Sequence, residues 1–190
     1  MASASLTIWR NDRMPLLVEV EGHCGAVSNG NPPNPKFLEE CLRGYVLHLS
    51  AHFQGFCHNL YSECSQAWIS AIPVGLMASA QLQFSAQLAL EKGNPSYENI
   101  KKDFNRFGAQ IHLQSLAPNG PKLITDLGHL NDWRNRSAHQ SIKPLSSGAP
   151  THLTLAILRG WKNSCIDLTE LLDATMEFEM RAILGFNPWP

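Results

Sequence analysis

Residues 34–64 read NPKFLEECLRGYVLHLSAHFQGFCHNLYSEC, and the spacing of their apolar side chains decides the fold class. Leu38, Leu42, Tyr45, Leu49, Phe53, Phe56, Leu60 and Cys64 recur in steps of three and four, the period of one helix face. Asn34 suits the N-cap and Pro35 the first turn, where its missing N–H removes nothing. Glu39 and Glu40 stand near the positive end of the helix dipole. A helix this long with one apolar stripe needs other helices to cover it.

The flanking sequence supplies them. Between Cys64 and Leu90 there is no charged residue. Pro73, Gly75, Gln81, Gln83, Gln87 and four serines argue against a membrane span, so the spacing predicts a buried second helix over about 74–91. Asn94 and Pro95 repeat the start signal for a short helix carrying Tyr97, Ile100, Phe104 and Phe107, closed by Gly108. After Asn119, Gly120 and Pro121, a helix from about Leu123 carries Leu123, Leu127 and Leu130 and runs to Trp133–His139. Ser146, Ser147, Gly148 and Pro150 break it. A final helix over 151–184 shows Leu158, Trp161, Cys165, Leu168, Leu172 and Met176. Ahead of residue 34 the reading changes. Leu6–Trp9 and the alternation Val18, Glu19, Val20, Glu21 suggest a small extended arm or hairpin, and 22–35 is dense in Gly, Asn and Pro. The chain therefore divides into an arm and linker over 1–33 and a mainly all-α bundle of four to five helices over 34–190.

Composition narrows the function classes. The 190 residues are 44% hydrophobic and only 16% charged, which excludes a disordered chain. Fifteen Lys and Arg against 16 Asp and Glu leave a net charge of -1, so no global field holds a long polyanion and any nucleic-acid contact must be local. Five irregularly spaced cysteines form no CxxC pair, and reduced thiols in a cytoplasmic protein are expected. Residues 1–13 do not read as a signal peptide.

The informative cluster is LNDWRNRSAHQ at 130–140, which places Arg134, Asn135 and His139 at the end of a helix. Arg43 and His48 have the same spacing inside the first helix, but only Arg134 is followed by Asn and leads into a polar loop. With Asn135 after the Arg, Ala138 before the His and one long apolar helix still to come, this stretch resembles the HEPN superfamily (higher eukaryotes and prokaryotes nucleotide-binding domains). The helix run Tyr45–Phe56 is similar to the first helix of several prokaryotic HEPN families, including the RiboL-PSP group. There an acidic residue often stands where this chain has Gln54, and a Gly where it has Gln140. The resemblance implies a helical bundle, a homodimer, and metal-independent cleavage of single-stranded RNA, as in toxins that pair with an antitoxin. It also admits an inactive, dimeric RNA-binding or interaction module.

The residues themselves suit that chemistry. RNA carries its own nucleophile, the 2′-hydroxyl. Cleavage needs a base, an acid for the leaving 5′-oxygen, and positive charge for the crowded phosphorane. An imidazole can serve as base or acid, the role open to His139, Arg134 offers a planar fork of donors to phosphate, and the Asn135 amide can orient either. Arg136 and Lys143 can hold further phosphates. No cofactor and no metal is called for. His48 and His52 are spaced for a shared ion, but no Glu lies between them, and Cys57 and Cys64 fall on the apolar seam. Trp68, Trp133 and Trp161 read as core or interface, and Lys101, Lys102 and Arg106 as a solvated basic face. Arg134 and His139 lie five positions apart, about 140° around an ideal helix. Either the last turn distorts or a second copy completes a shared cleft across a twofold axis.

Overall fold

In the computed structural model, residues 2–30, 34–113, 117–139 and 145–189 are described. The described residues are all-α, without a strand: α1 (Ala4–Ile8), α2 (Met14–Ser28), α3 (Pro35–Ser70), α4 (Val74–Ser85), α5 (Ala89–Lys92), α6 (Tyr97–Phe104), α7 (Gly120–His139) and α8 (Leu155–Leu184). Six of these run to eight residues or more, against the four or five expected. None is long and apolar enough to cross a membrane.

α3 is the axis of the bundle. Asn34 caps it, its side chain accepting from Phe37 N at 3.0 Å. The predicted stripe from Leu42 to Cys64 is buried, and α2, α7 and α8 pack around it. The stripe of α8 is buried as read, although the helix begins at Leu155, capped by Thr154, rather than at Thr151. The short helix α6 is capped by Ser96 rather than Asn94, and Gly108 ends the following turn at φ 81°, a left-handed conformation that favours glycine.

The N-terminal segment corrects the extended reading. Residues 4–28 are helical, with a π turn at Trp9–Arg13 between α1 and α2, and the helix passes through Gly22 and Gly25 to Ser28. Leu6, Trp9, Leu17 and Cys24 enter the same core as α3. Trp9 and Leu17 are eight residues apart, about 80° past two full α turns. The i→i+5 closure of the wider turn absorbs the surplus residue and returns Leu17 to the core. Pro15 stands just beyond it; lacking an N–H, it cannot bond the carbonyl four residues back, so the departure from α geometry has a local cause.

α4 is the second correction. It stops at Ser85, Gln87 follows at φ 52°, and Phe84 is its only buried residue. Val74 is 81% exposed and Leu82 72% exposed. The apolar run predicted a buried helix, but α4 packs on α3 by one edge, while α2, the helix read as an arm, also packs on α3.

Candidate functional site

α7 carries the motif. Leu123, Leu127, Leu130 and Trp133 bury one side of it, and Trp133 Nε1 donates to Pro150 O at 2.9 Å, tying the helix end to the segment leading into α8. The helix stays α-helical to His139. The five-residue step from Arg134 to His139 is therefore not shortened by distortion, and within one chain the two side chains leave the helix on different sides. His139 is exposed at the last residue, a position where the dipole favours a cation.

Arg134 and Asn135 are brought together. Arg134 Nη1 donates to Asn135 Oδ1 at 3.3 Å, and the same oxygen accepts from Asn94 Nδ2 at 2.9 Å. Asn94 Nδ2 also reaches the Asn131 carbonyl at 3.4 Å, so one amide spans a full turn of α7. Arg136 does not join them. Its guanidinium lies 5.3 Å from the Trp133 ring centroid, a cation–π contact, over a cleft of about 430 Å³ that Arg43 and His152 also line. Lys143 lies outside the described residues.

Sequence reasoning missed Asn94 and the residue that holds it. Gln54 Nε2 donates to Leu90 O at 2.6 Å and to Gly93 O at 3.1 Å, pinning the turn that presents Asn94. Asn99 Nδ2 secures the Asn94 carbonyl at 2.8 Å. A glutamate at 54 has no proton for those two carbonyls when ionised, so an amide rather than a carboxylate suits this position. Asn131 is 7% exposed, and neither end of its amide has a partner among the described residues; the buried Ser50 hydroxyl on α3 is likewise unpaired.

The remaining candidates resolve into structure. Arg106 donates to the carbonyls of Ala86 at 2.6 Å and Gln87 at 3.0 Å, closing the end of α4 rather than a solvated face. Trp161 is core, and Trp68 packs edge-on against Phe84. His48 and His52 stack with centroids 6.3 Å apart, and burial and the nearby Arg13 hold His52 below the ordinary histidine range. Among the described residues no group of three or more His, Cys, Asp or Glu side chains converges as a metal site. No family model, no curated protein and no solved structure matches this chain.

Proposed function

We propose that the chain is a metal-independent endoribonuclease of HEPN type acting on single-stranded RNA, with Arg134, Asn135 and His139 as its working groups and Arg136 and Lys143 as phosphate contacts. The observation that supports this reading best is the fixed Asn94–Asn135–Arg134 network one turn before an exposed His139. Arg134 gives one N–H to Asn135 and keeps the rest of its fork for a phosphate. His139 takes the 2′-hydroxyl proton or delivers one to the 5′-oxygen, and the guanidinium stabilises the phosphorane between these steps. The products are a 2′,3′-cyclic phosphate and a 5′-hydroxyl end. Because the helix holds Arg134 and His139 on different sides, the complete site is formed between two copies of the chain, with an antitoxin as a further partner. The same angular separation favours a second reading, in which a chain that does not pair binds RNA without cutting it.

Labelled RNA incubated with the protein in EDTA tests the proposal. The wild type cleaves, while Arg134→Ala and His139→Ala each lose about 10²-fold or more. Equal behaviour of all three proteins excludes the nuclease reading.

A further inference from the structure

The hydrogen bonds around Asn135 have only one consistent direction. A backbone carbonyl can only accept, so the Asn94 atom facing Asn131 O at 3.4 Å must be the amide nitrogen. That nitrogen also faces Asn135 at 2.9 Å and therefore meets an oxygen there. From the other side comes Arg134, which can only donate, at 3.3 Å to the same oxygen. The chain of donors is fixed at both ends, and the Asn135 amide cannot turn over without facing like groups. Its oxygen is occupied twice. Its NH2 group is turned away from both donors, on an exposed residue, with no acceptor among the described residues.

From this we infer that Asn94 is a positioning residue, whose task is to present the Asn135 Nδ2–H2 as a donor to a phosphodiester oxygen of RNA held beside the Arg134 guanidinium. The inference rests on the proposed RNA site and names the ligand atom read there. A phosphate oxygen offers acceptors and no donors, which matches a guanidinium and an outward amide nitrogen together. Gln54 enters as the support of the turn: its two bonds to Leu90 O and Gly93 O set where Asn94 stands.

Asn94→Asp and Asn94→Ala, each alone and in an Asn135→Ala background, separate this role from a structural one. A carboxylate at 94 repels the Asn131 carbonyl and draws the Asn135 nitrogen inward, turning the amide oxygen toward the ligand. Alanine only releases the amide. Binding is expected to be weaker with Asp than with Ala; a structural loss gives the same order, because the carboxylate also faces the Asn131 carbonyl, so the Asn135→Ala background decides between them.

The readout is fluorescence anisotropy of a 2′-O-methyl RNA oligonucleotide, which binds but cannot be cut, alongside cleavage of the unmodified RNA and thermal unfolding of each variant. Asn94→Asp is expected to weaken binding tenfold or more and Asn94→Ala by only a few fold. In an Asn135→Ala background Asn94→Asp is expected to add less than twofold, because it acts through the missing amide; direct charge repulsion would persist there. Multiplicative effects of the two substitutions, or wild-type binding by Asn94→Asp, overturn the inference. So does failure of the wild type to bind the oligonucleotide, since the donor then has no phosphodiester to meet. A wild type that binds with the expected variant pattern but leaves RNA uncut sustains the inference and removes the nuclease reading.

Discussion

The guanidinium of Arg13 occupies the place where residue 55 would carry a side chain: a β-carbon on Gly55 would stand 2.1 Å from Arg13 Nη1. That nitrogen donates to His52 O at 2.6 Å, so the last residue of the π turn is anchored on α3 through a gap that only glycine leaves open. Burial holds the Arg13 guanidinium below its ordinary pKa range. Gly55→Ala displaces it and is expected to cost about 1–2 kcal/mol, the loss of one charged hydrogen bond. In an Arg13→Ala background the same substitution should cost nothing or slightly stabilise, since alanine is the better helix former. Urea unfolding of the four proteins in the cycle measures the coupling; additive costs would show that the close approach does not matter.

Gln54→Glu faces a carboxylate toward Leu90 O and Gly93 O. The expected cost is about 1–3 kcal/mol at neutral pH, because two acceptors lose their donor and a third is set against them. Lowering the pH protonates the new acid and should recover part of that loss in denaturant melts. A variant as stable as the wild type would mean that the 89–94 turn is held by its other contacts alone.

Asp103 is fully buried and accepts from Ala89 N at 3.0 Å and Leu90 N at 2.8 Å, capping α5, while Arg106 lies 3.7 Å from its carboxylate. Asp103→Ala leaves two amides without their acceptor and the Arg106 guanidinium without its ion-pair partner, and a loss of about 3 kcal/mol is expected. Hydrogen exchange checks the location, since protection should fall first in the 85–92 segment that Asp103 and Arg106 close from both sides.

Glu21 joins α2 to α8 by accepting from Arg159 Nε at 2.6 Å and from Lys162, and it receives the Tyr45 hydroxyl at 3.4 Å. Burial pushes its pKa up, but the bonds from Lys162 and Arg159 outweigh this and hold it below the ordinary glutamate value. On acidification the unfolded chain therefore takes up the proton first. The stability supplied by this clamp is present above the unfolded pKa and is lost as pH falls through the folded one. Glu21→Gln should cost about 1–3 kcal/mol at pH 7, and its thermal midpoint should converge on that of the wild type in the acid limb. Parallel midpoints from neutral to acid pH would show that the clamp contributes nothing.

Where burial and period agree, the fold was legible in the residues. The face of α3 from Leu42 to Cys64, the Leu123–Leu127–Leu130 stripe and the run from Leu158 to Met176 lie in the core as read. The N-terminal segment was not legible, because Val18-Glu19-Val20-Glu21 satisfies a strand period while the side chains that enter the core are Leu17 and Cys24, seven apart. The π turn hid the link between Trp9 and Leu17, since no fixed period spans it. At the candidate site Arg134 and Asn135 stood out as neighbours in a short motif. Asn94 lies 41 positions from Asn135 and carries the same Asn-Pro signal that begins a helix elsewhere in the chain, so its side-chain bond across the bundle left no local mark. Gln54 registered only as a departure from an acidic pattern, and its donors gained meaning once the carbonyls of Leu90 and Gly93 were in place.

The wide turn at Trp9–Arg13 also makes this stretch tolerant of a change in length. Removing exposed Asn11 or Asp12 would set Trp9 and Leu17 seven residues apart, within about 20° of two complete α turns, so both would still point inward. An equivalent excision in the middle of α3 would swing every later side chain by about 100°. A chain shortened by one residue here is thus expected to keep the register of the bundle, which a deletion in the helices that follow would not.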